Sequence, residues 1–130
     1  MCIRDRITTA EIENNQVVIT GTKYLSEIAS IANRILISAS SNEGVLLILV
    51  DKDKVKLTEL NSTANSPLFK VELDSVRVSV ESVIHEKGRG LEALKYLIQL
   101  NMVMRSYIAL GVTEKMTSLI AGYTLSLIHI

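Results

Sequence analysis

The sequence predicts an α+β fold, in which a small antiparallel β barrel or sandwich is followed by one long α-helix of an incomplete helical bundle. Two observations support this prediction. Up to about residue 80, short apolar segments alternate with polar turns, as they do in small antiparallel sheets. From residue 91 to about residue 123 there is no proline, and apolar residues recur three and four positions apart, as they do on a helix.

Six segments carry strand signals. The turn pair Asn14-Asn15 separates the first two segments, which predict a β-hairpin. A continuous apolar run at residues 45–50 suits a strand that is covered on both faces, and the charged residues 51–54 after it predict a turn. In order along the chain, the predicted strands are 7–13, 16–25, 35–39, 45–50, 55–60 and 68–78.

The predicted helix at residues 91–123 is about 50 Å long and is apolar almost all round. A helix of this kind needs other helices around it, so we expect it to be the first helix of a bundle. We do not expect it to span a membrane, because polar and charged residues interrupt the apolar run at Gln99, Asn101, Arg105 and Glu114.

Composition excludes two classes of function. The 14 basic and 14 acidic residues give a formal net charge of zero, so no basic surplus is present to neutralise nucleic-acid phosphates. A single cysteine cannot form an internal disulfide or a cysteine zinc site, and we expect no metal. The chain is therefore not expected to be a nucleic-acid-binding or zinc-stabilised module.

The two ends of the chain predict an origin outside the native gene. Residues 1–6 and 125–130 can be back-translated into DNA strings that are reverse complements of each other. The string resembles the mosaic end of a transposase-based sequencing adapter. We therefore expect both segments to be adapter-derived, which leaves residues 7–124 as native sequence.

Three motifs in residues 7–124 resemble the acyl-CoA dehydrogenase family. The first is an entry hairpin that ends in a Gly-x-Lys, at residues 7–10 and 18–23. The second is the passage from the last strand into the long helix, at residues 71–78, 83–84 and 88–91. The third is a step of small residues inside the helix, at residues 109–111. Each motif is short, but their order and spacing together match the family along essentially the whole native segment.

The resemblance implies that residues 7–85 are a middle β domain and that residues 86–124 are the first helix of a C-terminal helical domain. It implies a flavoprotein oxidoreductase that binds FAD and oxidises acyl-CoA or acyl-carrier thioesters between the α and β carbons. In the family, a glutamate removes the α proton and the flavin takes the β hydride. That glutamate is expected outside the chain, so the fragment is expected to be inactive.

The resemblance also implies the partners and setting of the intact protein. They are an electron-transfer flavoprotein as electron acceptor, a homodimer or tetramer, a role in fatty acid metabolism and a bacterial cytoplasmic location.

The resemblance assigns the cofactor contact to residues 25–27. After the Gly-x-Lys, the family has Trp-Ile-Thr or Trp-Ile-Ser, which walls the flavin and forms a hydrogen bond near its N5. The aligned residues are Leu25, Ser26 and Glu27, so both the tryptophan and the aligned hydroxyl residue are absent. With a slip of one residue, Ser26 supplies the hydroxyl.

The resemblance assigns the substrate contact to the long helix. Met102 takes the place of a family arginine that reaches the thioester region, and Arg105 lies one turn further on. Asn101 stands where some branches carry the catalytic glutamate. Gln99 and Asn101 are candidates to line the acyl-CoA entrance.

Simpler interpretations remain open for these residues. Ser26 and Glu27 are also consistent with a solvated strand end, and the polar helix residues with contacts to a neighbouring helix. His85, in the predicted strand-to-helix link, is not expected to be catalytic. At the level of the whole protein, the alternatives are a non-catalytic member of the same fold that acts as a binding or scaffold protein, and a free-standing β module with one docking helix.

Overall fold

The computed structural model describes residues 8–63, 67–84 and 89–128. In this part of the chain a seven-stranded sheet precedes one long helix, which confirms the predicted α+β class. The strands are β1 (Thr9–Glu13), β2 (Gln16–Glu27), β3 (Arg34–Ser41), β4 (Gly44–Asp51), β5 (Lys56–Leu60), β6 (Leu68–Ser79) and β7 (Val83–Ile84). The helix is α1 (Gly90–Ile128). His85, Gly88 and residues 1–6, which the sequence singled out, lie outside the described residues.

The predicted hairpin is formed by β1 and β2, which pair from Thr9 opposite Thr20 to Glu13 opposite Gln16. Its two turn residues both have positive φ, 44° at Asn14 and 65° at Asn15. A two-residue turn of this kind matches the twist of its strands, and asparagine tolerates the left-handed conformation that it requires.

The strand order is β5-β6-β2-β1-β3-β4-β7, and all neighbouring pairs except one are antiparallel. The exception is β1 with β3, which are parallel where Thr9 lies opposite Ser40. The sheet is therefore mixed, and it is not closed into a barrel because β5 and β7 lie at its two ends. Closure is not favoured, because β7 has only two residues and offers few backbone hydrogen bonds.

The core is built from one face of this sheet. The predicted covering of β4 on both faces is confirmed, since Leu46, Leu47 and Ile48 are all buried. Burying these aliphatic side chains supplies the main favourable free energy of folding. The core cluster contains Ala10, Val17, Ile19, Ile37, Ala39, Leu46, Ile48, Val50, Leu73, Val76 and Val78.

Gly21 allows β2 to pass close to the start of β1. Its φ is +151°, and a Cβ atom at this position would lie 2.6 Å from the Cα atom of Thr8. Thr8 is itself buried. The glycine of the Gly-x-Lys motif is therefore required by a close backbone approach.

The described residues divide into two compact units, one that reaches Leu94 and one that begins at Lys95. In the first unit, the start of α1 is buried at Gly90, where a Cβ atom would contact the carbonyl oxygen of Val45. In the second unit, every residue from Asn101 to Ser126 is exposed. Helix α1 covers the whole predicted segment 91–123.

Candidate functional site

The residues after the Gly-x-Lys motif form a β-bulge in β2. Lys23 lies opposite Val71 and Ser26 lies opposite Phe69, so three steps along β2 correspond to two steps along β6. Two residues of β2 therefore oppose Lys70 alone, which is the definition of a bulge. The inserted position is Leu25, whose φ is +60°, a left-handed conformation that bulky residues rarely adopt.

The bulge decides which faces of the sheet the three predicted cofactor residues occupy. Directly opposed residues of an antiparallel pair share a face, so Ser26 lies on the face of Phe69, and Glu27 lies with Leu68 on the other face. Ser26 is half-buried. Leu25 is 51% exposed within the bulge. The three residues are therefore adjacent in sequence but divided between the two faces.

Three charged side chains and one aromatic ring lie together at the bulge, and we refer to Tyr24, Lys56, Lys70 and Glu72 as the bulge cluster. Lys70 Nζ donates a 2.7 Å hydrogen bond to Glu72 Oε1, and Lys56 Nζ lies 3.7 Å from Glu72 Oε2. Lys70 Nζ also lies 5.8 Å from the centroid of the Tyr24 ring. This distance is within the range of a cation–π interaction. The cluster thus joins β5, β6 and β2.

The ion pair changes the pKa values of its members in opposite directions. The hydrogen bond to Glu72 raises the pKa of Lys70 above its ordinary value. The hydrogen bond from Lys70, helped by the charges of Lys70 and Lys56, lowers the pKa of Glu72. Both groups are therefore held in their charged forms near neutral pH.

The bulge cluster was missed in the sequence because its members come from three strands. A weak signal was present, since Lys70 and Glu72 alternate with the buried residues of β6. Alternation predicts that they share the polar face. It does not predict that Lys56 and Tyr24 lie beside them.

The four predicted substrate residues all lie in the second unit, on α1. Arg105 Nε donates a 2.9 Å hydrogen bond to Asn101 Oδ1, so the structure brings these two together, one turn apart. Met102 is 63% exposed and Gln99 is also exposed. At about 100° per residue, Met102 lies about 60° around the helix from Arg105, whereas Gln99 lies about 160° from Asn101, on nearly the opposite side of α1.

Within ranges 8–63, 67–84 and 89–128, no group of three histidine, cysteine, aspartate or glutamate residues is placed to hold a metal ion. In that part of the chain, α1 lacks a stretch apolar enough to cross a membrane.

Comparison with known proteins identifies the fold. No protein-family model matches the chain, and no curated protein matches it. A Mycobacterium smegmatis protein assigned as an acyl-CoA dehydrogenase is 25% identical over 65% of this chain and 24% of its own, with a TM-score of 0.61.

Two further solved structures extend this comparison. A glutaryl-CoA dehydrogenase from M. smegmatis in complex with FADH2 is 21% identical over 61% of this chain and 22% of its own, with a TM-score of 0.57. A glutaryl-CoA dehydrogenase in complex with glutaryl-CoA is 20% identical over 69% and 25%, with a TM-score of 0.63. The chain therefore spans about a quarter of the length of these structures. The described part of the chain has the fold of a segment of the acyl-CoA dehydrogenases.

Proposed function

We propose that the chain is a segment of an FAD-dependent acyl-CoA dehydrogenase that oxidises acyl thioesters between the α and β carbons. The observation that carries this proposal is the fold shared with solved acyl-CoA dehydrogenases, one bound to FADH2 and one to glutaryl-CoA. The general-base glutamate belongs to another part of the protein, so the 130-residue chain is expected to be inactive by itself.

The flavin contact is proposed for Leu25, Ser26 and Glu27, and the strand register favours Ser26 as the hydroxyl donor. In a regular strand, Lys23, Leu25 and Glu27 would share a face. The bulge instead places Ser26 on the face of Lys23, which supports the one-residue slip. The residues present fit a flavin, because a half-buried hydroxyl lies beside an exposed apolar side chain. A flavin held by these residues would supply the hydride acceptor for oxidation at the β carbon.

The substrate contact is proposed for Gln99, Asn101, Met102 and Arg105 on α1. Arg105 Nε donates a hydrogen bond to Asn101 Oδ1, which orients the guanidinium, and the charge and planar shape of this group suit thioester or phosphate oxygens. The exposed Met102 side chain supplies an adaptable apolar surface for an acyl group.

The setting of the intact protein is part of the same proposal. Residues 7–85 form the middle β domain and residues 86–124 the first helix of a C-terminal helical domain. Residues 1–6 and 125–130 derive from a sequencing adapter. The intact protein forms a homodimer or tetramer, works in the bacterial cytoplasm in fatty acid metabolism, and passes electrons to an electron-transfer flavoprotein.

The deciding experiment recovers the reading frame on both sides of this segment and purifies the encoded protein. We expect a yellow protein with a flavin absorbance spectrum that oxidises acyl-CoA in the presence of an artificial electron acceptor. A folded protein that binds flavin weakly and does not turn over acyl-CoA would contradict the proposal. It would favour the non-catalytic alternative, which the missing tryptophan at Leu25 motivates.

Substitutions at residues 26 and 27 test the flavin contact in the same protein. We expect Ser26→Ala to weaken flavin binding by about fivefold to tenfold, the effect of one hydrogen bond. Ser26→Thr, which keeps the hydroxyl, should retain binding, and Thr22→Ala, which removes a hydroxyl from the same strand outside the proposed contact, is the matched control. Weaker binding in Glu27→Ala but not in Ser26→Ala would reverse the assignment. Flavin titration followed by fluorescence measures both.

A further inference from the structure

We propose that Lys70 is a positioning residue that stabilises the β2 bulge and thereby determines that Ser26, and not Leu25, occupies the inner face of the strand opposite Phe69. The consequence for flavin binding rests on the proposed function, whereas the effect on strand register does not.

The backbone conformation of the bulge is unfavourable, so contacts with neighbouring residues must stabilise it. Leu25 adopts φ +60°, which is unfavourable for a leucine backbone, and its side chain is 51% exposed and so gains little from burial. Without the inserted residue, the ladder that begins at Lys23 opposite Val71 would continue regularly and place Leu25 opposite Phe69. That register would also move Ser26 opposite Leu68, on the other face.

Lys70 is the β6 residue that lies opposite the insertion, and its contacts hold it there. On one side, Glu72 accepts its 2.7 Å hydrogen bond and is itself paired with Lys56 on β5. On the other side, its ammonium group lies 5.8 Å from the Tyr24 ring centroid, and Tyr24 is the first residue of the bulge. Lys70 therefore connects the bulged residues of β2 to β6 and, through Glu72, to β5.

Cross-strand disulfides report the register directly. In a Cys2→Ser background of the full 130-residue chain, Leu68→Cys is combined with either Glu27→Cys or Ser26→Cys. The bulged register places residue 27 opposite residue 68, and the regular register places residue 26 there. Only directly opposed residues bring their Cβ atoms close enough for a disulfide. The yield of the disulfide is measured in each of the two double-cysteine variants by mass spectrometry of the monomer band on a denaturing gel. The ratio of the 27–68 yield to the 26–68 yield then reports the register.

The variants at residue 70 and their control make the test specific. We expect Lys70→Met to shift the ratio toward the 26–68 bridge by about twofold to fivefold, and Lys70→Arg to restore it because a guanidinium also stacks on a ring and pairs with Glu72. Lys56→Met removes the other partner of Glu72 but does not lie opposite the bulge, so it should leave the ratio unchanged. Circular dichroism checks that each variant folds, and Tyr24→Leu replaces Lys70→Met if that variant does not fold.

An unchanged ratio in Lys70→Met, or in Tyr24→Leu where it takes its place, would overturn the proposal. A shifted ratio with unchanged flavin affinity in the intact Lys70→Met protein would confirm the positioning role and contradict the Ser26 flavin contact. The two failures are therefore distinguishable.

Discussion

Two bulky residues near the candidate site have strained backbones. Leu25 and Ile28 both adopt φ +60°, and both side chains are about half exposed. The left-handed conformation costs an ordinary residue about 1–2 kcal/mol, and it is a clear outlier for a β-branched residue such as Ile28. Strain of this kind persists where surrounding structure imposes it, and it concentrates at functional sites. We therefore expect that substitutions between Leu25 and Ile28 can raise stability without improving function.

Replacing Ile28 with asparagine should stabilise the fold. Asparagine visits the left-handed region readily, and only part of the Ile28 side chain is buried, so we expect a gain of about 0.5–1 kcal/mol. The matched control is Ile31→Asn, at a residue that is 78% exposed and lacks a positive φ, where we expect a change within about 0.5 kcal/mol. Urea denaturation measures both. A loss of stability in Ile28→Asn larger than that in Ile31→Asn would contradict the strain argument.

Two glycine-to-alanine substitutions should have opposite effects. Gly21→Ala should destabilise the fold by more than about 1 kcal/mol, because its Cβ would overlap Thr8 and its φ is unfavourable for alanine. Gly111→Ala meets no atom within 4 Å and should raise the stability of α1 by up to about 1 kcal/mol. Thermal unfolding monitored by circular dichroism distinguishes them. Equal effects would show that the close approach of Gly21 to Thr8 is absent in solution.

At the scale of elements, the bulge cluster joins three strands through charges on the solvent side of the sheet. Because Lys70 and Glu72 remain partly exposed, their pair is screened by salt and its main effect is on geometry. The pair nevertheless makes the sheet sensitive to pH in a definite direction.

The Lys70–Glu72 pair should contribute fully to the free energy of unfolding at pH values between the ordinary pKa of glutamate, 4.5, and the ordinary pKa of lysine, 10.5. The pKa of Glu72 is lowered in the folded state, so its contribution is lost as pH falls from 4.5 through the folded value. The pKa of Lys70 is raised, so its contribution is lost as pH rises from 10.5 through the folded value. The difference in unfolding free energy between the wild type and Glu72→Gln should therefore disappear at both extremes. A difference that persists at low pH would contradict this assignment.

At the scale of the whole molecule, the apolar residues of α1 dominate the expected behaviour in solution. From Asn101 to Ser126 every residue of the helix is exposed, and the apolar ones include Met104, Tyr107, Ile108 and Leu110. A contiguous apolar surface of this size is rarely left open to water. The matched part of this chain makes up 24% of the M. smegmatis protein assigned as an acyl-CoA dehydrogenase, so that protein has further chain beyond the matched part.

The isolated chain should therefore associate with itself. We expect sedimentation velocity to show species larger than a monomer, whose fraction rises with protein concentration. Leu110→Lys should reduce association because it places a charge on the apolar surface, whereas Ser118→Lys adds the same charge at a polar position and is the control. A single monomeric boundary at all concentrations would support the free-standing β module with one docking helix.

Much of the fold could be predicted because its signals are local. The turn pair Asn14-Asn15 marks the hairpin, alternation marks β5 and β6, and the continuous run marks β4. Apolar residues recur every two positions in a strand and about every 3.6 positions in a helix, so a short stretch of sequence is enough to recognise either pattern. The order of the elements and the start of the long helix therefore followed from the sequence. The two-residue β7 and the parallel contact between β1 and β3 carried no such signal.

The sequence by itself therefore determined the α+β class, the order of strands and helix, and the family resemblance that the shared fold supports. Only the tertiary structure decided the faces of Ser26 and Glu27, and the meeting of Lys56, Lys70 and Tyr24. The physical reason is that one inserted residue reverses the facing of every later residue in a strand. Whether that insertion is stable depends on β6 and β5, which lie more than 25 residues away along the chain.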